Sequence, residues 1–384
     1  MTAIVTGAHY RMSVALIRDL SERGVRVVAC EKASLENPVG FASRGAAQTL
    51  TLPDETYEDA LFSLCEKLFQ EDGQKPALLP VGAKTLAILS QNADRFEPVC
   101  TFCIAQPQQL SLFNDKSAVA ALAKKLGVPI PANFERASDE SLDAFFSRVP
   151  LPCAVKPLCG EVFGLTAAQR YRICRTKEEL NAAYTHFENL TGEAPIVQEY
   201  LCGEAFGCSV LAENGRIIRH ICHRRVREYP VSGGPSSCCE RVERPELLSA
   251  AEKLVRETGF SGPAMFEFKC GADGAPRLLE INPRVWGTFP LTRVSGSDFS
   301  YSWYCLCAGL PLPEEAPAKP VRMVYYPADF AAGLGYLRAG KPEKCFAVLK
   351  DFLNPAVKNG IADSKDPGPA RAYFRNLLHR GVHK

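Results

Sequence analysis

Two glutamates and an asparagine near the C-terminal third of the chain carry the side-chain oxygens that a hard cation prefers. Glu267 lies in one short apolar run, and Glu280 and Asn282 interrupt a second run at a spacing of two. Like charges directly opposite on a sheet destabilise it, and dry apolar surroundings raise that cost. Mg²⁺ binds oxygen ligands, commonly one or two carboxylates together with substrate phosphates. These residues therefore predict a metal-nucleotide site.

A β-hairpin must position these three side chains. Asp273 and Gly274 lie between the two apolar runs, and Asp-Gly favours a two-residue hairpin turn. That turn places Glu267 directly across from Glu280, and the strand period of two places Asn282 on the same face. The alternative is a solvent-facing strand pair with ordinary surface charges, and a slip of one residue in register would also separate the carboxylates.

The two apolar runs resemble a known superfamily. Leu-Leu-Glu-Ile-Asn-Pro-Arg, which follows a Phe-Glu-Phe strand, resembles the metal-binding end of ATP-grasp proteins such as carboxylate–amine ligases, biotin carboxylases and the synthetase units of carbamoyl-phosphate synthases. The resemblance implies that Glu267, Glu280 and Asn282 bind Mg²⁺, with Mn²⁺ as a substitute, together with the phosphates of ATP. It also implies that Arg284 faces the transferred phosphoryl group or an acyl phosphate.

Composition and charge narrow the class of protein. The 384 residues suffice for two or three domains. Because 45 Lys and Arg nearly balance 43 Asp and Glu, for a formal net charge of +2, we expect neither nucleic acid nor a membrane as partner. The start of the chain shows a strand rather than a signal peptide, and its sixteen cysteines are scattered. We therefore expect a cytoplasmic protein with small-molecule carboxylate and amine substrates and a possible homodimer.

Alternating strand and helix patterns divide the chain into four parts. Residues 1–113 have the pattern of a parallel α/β sheet, and the resemblance implies a Rossmann-like domain that precedes the ATP-grasp unit; the Gly-x-Gly-x-x-Gly pattern of a dinucleotide site is absent. The predicted strands there are residues 3–6, 25–30, 78–81 and 102–105. The other parts are a small lid subdomain with a linker helix (114–208), a large subdomain with the metal hairpin (209–313) and a C-terminal extension (314–384). The predicted fold class is α/β and α+β, an ATP-grasp fold.

A strand that ends in a lysine, followed by a loop with two glycines, predicts the part of a nucleotide pocket that binds phosphates. Lys156 ends an apolar strand and precedes a loop with Gly160 and Gly164, an arrangement in which backbone N–H groups can fold over phosphates. The resemblance implies that Lys116 and Lys156 contact the phosphates of ATP. The loop departs from the usual pattern because residues 161–163 are larger than the residues often found there. The alternative for Lys156 is a strand-end surface charge.

The segment that follows resembles the adenine hinge of the superfamily. The resemblance implies that Glu199 accepts a hydrogen bond from the adenine amino group, and that the backbone at Tyr200 and Leu201 pairs with the ring edge. Glu204 would hold the ribose hydroxyls. The alternative is an edge strand with exposed glutamates, but the place of this segment between the lysine strand and the metal hairpin favours the hinge.

A basic strand predicts the acceptor side. Arg227 precedes Ser-Gly-Gly, and similar Arg…Gly-Gly segments border the active site of ATP-grasp carboligases. A guanidinium fits a substrate carboxylate with two hydrogen bonds, so Arg227 is predicted as a catalytic residue with Lys156 and Arg284. For Arg224 and Arg225 a solvated surface role is an equal alternative.

The resemblance implies an ATP- and Mg²⁺-dependent ligase. A carboxylate attacks the γ-phosphate of ATP to give an acyl phosphate, and an amine or another nucleophile then displaces phosphate. Two alternatives stay open. One is carbamoyl-phosphate-synthase-like or carboxylase chemistry on bicarbonate, with an ammonia-supplying partner encoded separately. The other is a non-catalytic ATP-binding protein. The acid and the acceptor cannot be deduced, because acceptor pockets come from variable loops.

Overall fold

Three β-sheets organise the described part of the chain, and the second and third contribute residues to one cleft. The computed structural model describes residues 1–157, 165, 169, 171–231, 233–271, 273–315 and 318–382. In the described residues no helix is long and apolar enough to cross a membrane. The fifteen cysteines of this part are free thiols, and most are buried, as expected for reduced cysteines that pack as small apolar side chains.

The N-terminal sheet is parallel, with the strand order β3-β2-β1-β4. Its elements are β1 (Ala3–Val5), α1 (Arg11–Glu22), β2 (Val27–Lys32), a 3₁₀ turn (Val39–Ala42), β3 (Gln48–Leu52), α2 (Tyr57–Asp72), β4 (Ala77–Leu79), α3 (Ala83–Gln91), α4 (Ala93–Phe96) and α5 (Pro107–Asn114). The strands β1 and β4 are buried on both faces, as parallel strands between helical layers must be. Residues 102–105 were predicted as a strand, but the backbone there forms a β-bridge from Ala77 to Thr101 and then enters α5.

The second sheet is small and has the order β5-β8-β6-β7. Its region comprises α6 (Lys116–Lys125), β5 (Asn133–Phe134), α7 (Leu142–Arg148), β6 (Cys153–Lys156), β7 (Arg172–Cys174), α8 (Lys177–Thr191) and β8 (Ile196–Glu199). Asp115 caps the N-terminus of α6, and its carboxylate accepts from the Ser117 and Ala118 N–H groups. Val119 and Ala123 of α6 join the core of the large sheet, so this helix fixes Lys116 against the large sheet.

The third sheet has seven strands in the order β13-β12-β9-β10-β11-β14-β15. Its region comprises β9 (Ala205–Glu213), β10 (Arg216–Glu228), β11 (Ser236–Val242), α9 (Pro245–Thr258), β12 (Gly262–Cys270), β13 (Pro276–Asn282), α10 (Pro290–Val294), α11 (Phe299–Ala308), β14 (Arg322–Val324), α12 (Ala328–Arg338), α13 (Pro342–Leu353), β15 (Lys358–Asn359) and α14 (Gly368–Val382). Together the three sheets confirm the α/β and α+β class.

The C-terminal part of the chain is built into both larger sheets. The strand β14 pairs with β11, and β15 pairs with β14. Ala372 of α14 packs against Val14 and Val39. Arg18 donates to Asp366 at 2.9 Å, and both side chains are buried. These contacts hold the last 70 residues against the N-terminal sheet, so they help to fix how that sheet sits beside the cleft.

Candidate active site

The metal hairpin has the predicted register at its carboxylates. The strands β12 and β13 pair with Glu267 opposite Glu280 and with Met265 opposite Asn282. Because side chains two residues apart lie on one face of a strand, Glu280 and Asn282 point to the same side of the sheet. Both strands of the pair lie beside β9 or at the sheet edge, with apolar neighbours on their other face. The predicted opposition of the two carboxylates is thus confirmed.

The hairpin reaches this register by a different turn from the one predicted. The strands end at Cys270 and Pro276, so residues 271–275 connect them, rather than a two-residue Asp-Gly turn. Near the turn Phe268 lies opposite Leu278, and the register then shifts by one residue. Leu279 is the extra residue of this β-bulge. The bulge offsets the change in turn geometry and returns the two glutamates to directly opposite positions.

Hydrogen bonds draw the three predicted metal ligands together. The Asn282 amide Nδ2 donates to Glu267 Oε1 at 3.2 Å and to Glu280 Oε1 at 3.3 Å. Across the described residues no group of three or more His, Cys, Asp or Glu could hold a metal ion, so this carboxylate pair needs further ligands from elsewhere. Two carboxylates, an amide oxygen and phosphate oxygens fit the donor set of Mg²⁺.

An arginine that the sequence left unassigned neutralises one of these carboxylates. Arg225 on β10 donates to Glu267 Oε2 at 2.5 Å and lies 3.5 Å from Glu228. Burial raises the pKa of Glu267 to about 7, Arg225 opposes the rise, and Glu280 adds to it. Burial and a neighbouring like charge destabilise the ionised form of this carboxyl group, and a bound divalent cation would stabilise that form. Arg225 therefore belongs to the site rather than to the surface.

Gly207 makes room between the arginine strand and the metal strand. It lies opposite both His223 and Glu267 in the strand pairing, and a Cβ on it would lie 2.3 Å from His223 Cε1. The absence of a side chain lets His223 lie over β9, with its Nε2 3.2 Å from the Thr288 hydroxyl. Burial lowers the pKa of His223 to about 3, so this imidazole is neutral and contributes no charge to the site.

Arg284 lies at the edge of the metal ligands. Its guanidinium donates to Asn282 Oδ1 at 3.2 Å and to the Val285 carbonyl at 3.3 Å. In the described part of the chain it forms no direct ion pair with a carboxylate, but its positive charge acts on Glu267 and lowers the pKa of that carboxyl group. That Arg284 faces a phosphoryl group stays a prediction.

The two predicted phosphate lysines line one cleft with the bulge of the metal hairpin. The cleft has about 290 Å³ of empty space, including its open mouth, and Lys116, Lys156, Leu278 and Leu279 line it. Lys156 donates to Gln198 Oε1 at 2.9 Å. Burial and the positive charge of Lys116 lower the pKa of Lys156 to about 8, while Glu280 opposes the fall. Lys156 therefore interacts electrostatically with one carboxylate of the metal hairpin, Glu280.

The strand register places Gln198 on the face of the sheet that lines the cleft. The sequence did not single out this residue. Gln198 lies opposite Ala154, two residues from Lys156, and its amide also donates to Asn133 Oδ1 at 2.7 Å. The alternation of side chains along β6 and β8 was the signal that could have identified it. Glu199 lies one residue on, and its carboxylate accepts from the Ala132 N–H at 3.2 Å.

The remaining hinge residues lie beyond the end of β8. Leu201 is buried, and the ring of Tyr200 lies 4.9 Å from the Lys269 ammonium. Glu204 pairs with Arg224. These placements put the segment beside the cleft, and the adenine and ribose contacts of Glu199, Tyr200, Leu201 and Glu204 stay predictions. Gly160 and Gly164 of the predicted phosphate loop lie outside the described residues.

The structure corrects the role predicted for Arg227. Its side chain is 2% exposed, and it donates to both oxygens of Asp329, at 2.9 and 2.8 Å, and to Asp351 at 2.7 Å. Asp329 lies in α12 and Asp351 in α13. Arg227 thus fastens two C-terminal helices to β10. Its guanidinium is buried and already hydrogen-bonded to these aspartates, so it is not available to bind a substrate carboxylate with two hydrogen bonds.

One part of the chain matches a known family model, and a longer part is similar to known carboxylases. Residues 191–327 match the family model "ATP-grasp in the biosynthetic pathway with Ter operon". The chain is 24% identical over 330 residues to the biotin-dependent acyl-coenzyme A carboxylase alpha3 subunit of Mycobacterium leprae (strain TN), covering 79% of this chain and 54% of that protein. The chain therefore spans about half the length of this relative.

Solved structures share the fold at low identity. The biotin carboxylase domain dimer of the 2-oxoglutarate carboxylase of Hydrogenobacter thermophilus, solved with MgADP, ADP and bicarbonate, has a TM-score of 0.59 and 19% identity, covering 83% of this chain and 71% of that one. An L-amino acid ligase of Bacillus licheniformis has a TM-score of 0.57 and 13% identity, covering 84% and 78%. With the carboxylate hairpin, the two lysines of the cleft and the parallel N-terminal sheet already described, these matches confirm the predicted ATP-grasp fold with an N-terminal parallel sheet domain.

Proposed function

We propose that the protein is an ATP- and Mg²⁺-dependent ligase that activates a carboxylate as an acyl phosphate for attack by an amine. The observation that carries the proposal is the convergence of Glu267, Glu280 and Asn282, with Arg284 donating to the last of them. Two carboxylates and an amide bring a divalent cation to the phosphates, and an unpaired guanidinium beside them stabilises negative charge on a transferred phosphoryl group.

The chemistry divides into two balanced steps. A substrate carboxylate oxygen attacks the γ-phosphorus of ATP, and the bond from that phosphorus to the ADP oxygen breaks. The amine then attacks the acyl carbon, the bond to the phosphate oxygen breaks, and the amine loses a proton as the amide forms. Phosphate is a far better leaving group than hydroxide, so the first step makes the second one accessible. The divalent cation supplies charge neutralisation at the phosphates when it is bound.

Lysine and arginine side chains of this chain would position the phosphates and the metal-binding carboxylates. Lys116 and Lys156 line the cleft that ends at the metal hairpin, and an ammonium is a compact counter-charge for phosphate. Arg225 holds Glu267 from the side opposite the hairpin partner, so the carboxylate keeps one orientation. No nucleophilic side chain is required, because the substrate carboxylate itself attacks ATP. The work of the protein is alignment and electrostatic stabilisation.

A second candidate is carboxylase-type chemistry, in which bicarbonate is the acid that ATP phosphorylates. It is favoured by the likeness to a biotin carboxylase domain solved with bicarbonate. The third reading, an ATP-binding protein without chemistry, is disfavoured by the complete set of two glutamates and an asparagine with an arginine beside them.

The test is ATP turnover in the presence of Mg²⁺, read as phosphate release. A panel of carboxylic acids is combined with hydroxylamine or with amines, and bicarbonate is tested in parallel with all other acids removed. We expect release that needs both an organic acid and a nucleophile. Release driven by bicarbonate alone would replace the first candidate with the second, and ATP binding without release under every condition would support the non-catalytic reading.

A further inference from the structure

An arginine of the N-terminal domain lies against the segment that follows the metal hairpin and has no anionic partner among the described residues. Arg11 begins α1, and its guanidinium carbon lies 3.6 Å from the centroid of the Tyr325 ring. Its side chain is partly exposed. In the described residues no carboxylate pairs with it. The carboxylate of Glu31, near the start of the same helix, is already engaged by His9 and by the Lys32 N–H.

Arg11 differs from most arginines in the interior of the protein. Many of those pair with carboxylates, as in Arg18–Asp366, Arg225–Glu267, Arg227–Asp329, Arg293–Asp19 and Arg322–Glu240. Arg219 has no carboxylate partner among the described residues, but it donates to two backbone carbonyls. A partly buried guanidinium that lacks a counter-charge loses solvation without regaining it from the protein. An unmatched cation held in place is therefore a feature that a bound anion would complete.

The aromatic ring under Arg11 is rigid. Tyr325 is 1% exposed, its hydroxyl donates to the Gly287 carbonyl at 2.8 Å, and a Cβ on Gly360 would lie 2.3 Å from its ring. A guanidinium stacked on an aromatic face keeps its N–H groups directed outward in its own plane. Arg11 is thus oriented in advance to bind a carboxylate with two hydrogen bonds.

This guanidinium is close to the reacting end of the site. A Cβ on Gly287 would lie 3.6 Å from an Arg11 terminal nitrogen. Gly287 follows Arg284 by three residues, so their Cα atoms are at most roughly 11 Å apart. The thiol of Cys239 feels both Arg11 and Arg225, which both oppose the rise that burial causes in its pKa. Arg11 therefore lies against the segment that follows the metal hairpin, and it acts on the same thiol as the arginine that donates to Glu267.

We propose that Arg11, stacked on Tyr325, binds a second carboxylate that is not activated in the reaction. This inference rests on the proposed ligase function and names its substrate class. The second carboxylate belongs either to the acid, which is then a dicarboxylate, or to the acceptor, which is then an amino acid. In both cases the recognised chemistry is a carboxylate a few bonds away from the reacting group.

Matched substrates and variants test this proposal. In one arm, succinate is compared with butyrate and glutarate with pentanoate, each with ATP, Mg²⁺ and hydroxylamine, and the hydroxamate is measured. In the other arm, the acid is fixed and glycine is compared with methylamine. The proteins are wild type, Arg11→Gln, Arg11→Lys and Arg23→Gln. Arg23 is the control, since it directly follows the same helix and its guanidinium carbon lies 4.6 Å from the centroid of a tyrosine ring, but it already pairs with Asp298.

We expect one arm to show a preference for the carboxylate-bearing member of roughly 10- to 100-fold in kcat/KM, the worth of a charged bidentate contact. The Arg11→Gln variant should lose that preference through a raised KM, Arg11→Lys should keep part of it, and Arg23→Gln should keep all of it. The arm that responds identifies the source of the carboxylate. An unchanged preference in Arg11→Gln, or an equal loss in Arg23→Gln, would overturn the proposal.

A binding measurement separates this inference from the function on which it rests. Glutarate, succinate and glycine are titrated by calorimetry into the full chain with ADP present, for the wild type and for Arg11→Gln. We expect at least one of them to bind the wild type and to bind Arg11→Gln about tenfold or more weakly. Binding that is absent from the wild type, or equal in both proteins, refutes the role of Arg11. Phosphate release that no acid stimulates refutes the ligase function instead.

Discussion

Arg227 offers a direct test of the structure, because the sequence predicts that it binds a substrate carboxylate, whereas in the structure it binds two buried aspartates. Removal of its guanidinium by Arg227→Met leaves Asp329 with the Ser237 hydroxyl at 2.9 Å and without a cation. Asp351 keeps Arg322, at 3.0 and 3.2 Å. Breaking a buried ion pair by removal of one partner costs about 3–5 kcal/mol. Because one of the two aspartates retains a partner, we expect the lower end, about 3 kcal/mol.

Thermal unfolding followed by circular dichroism measures this loss. For a chain larger than 250 residues each kcal/mol shifts the midpoint by roughly 1–2 °C, so we expect a fall of roughly 3–6 °C. Arg241→Gln is the matched control on the next strand, since Arg241 pairs with the exposed Glu243. A surface pair of this kind contributes about 1 kcal/mol or less, so that variant should unfold close to the wild type.

Kinetics of Arg227→Lys complete the test. Lysine keeps the charge but cannot bridge two aspartates with a planar fork, so this variant should also lose stability. Below its unfolding temperature its KM for the acid should equal that of the wild type, because the wild-type guanidinium is buried and engaged. A severalfold rise in that KM with an unchanged unfolding temperature would refute the structural assignment and restore a substrate role.

The remaining predictions concern the metal and phosphate ends of the cleft. Glu280→Gln should abolish Mg²⁺-dependent phosphate release while circular dichroism stays that of the wild type, and wild-type rates would remove Glu280 from the metal site. Since the Lys156 pKa is lowered to about 8, only its protonated form can hold phosphate, and ATP affinity should fall as pH rises through about 8. Since the Glu267 pKa is raised to about 7, Mg²⁺ affinity should rise with pH through about 7. Calorimetric titrations from pH 6 to 9.5 should show both trends, and Lys156→Gln should remove the first trend while keeping the second; a dependence that Lys156→Gln leaves unchanged contradicts the lysine assignment.

The register of the metal hairpin could be predicted because the residues that determine it lie close together in the sequence. Glu267, Glu280 and Asn282 lie within sixteen residues, and a hairpin of either turn type can bring them together. The two-residue turn was wrong, yet the opposition of the glutamates was right, because the bulge at Leu279 compensated for the turn. The geometry of a turn depends on a few backbone angles, and an Asp-Gly pair does not determine these angles by itself. Charged residues that interrupt apolar strands, in contrast, indicate which face of the hairpin is polar.

The error at Arg227 has a different cause. In a regular strand Arg225 and Arg227 would share a face, but the pairing of β10 with β11 shifts register between them. The buried partners of Arg227 lie 102 and 124 residues further along the chain, in helices whose pattern gave no chemical signal. A guanidinium near a Gly-Gly loop looks the same in sequence whether its carboxylate belongs to a substrate or to the protein.

The carboxylate site that we propose at Arg11 shows why the substrate class could not be deduced from the sequence. Arg11, Tyr325 and Gly287 come from three distant segments, and the contact of the first two exists only because the C-terminal strands extend the large sheet while α14 holds the N-terminal domain. The metal chemistry needs one hairpin, but the position of Arg11 relative to that hairpin depends on the docking of whole domains. Residues that set substrate choice can therefore change with the packing of the C-terminal part, while the hairpin that handles phosphate stays the same.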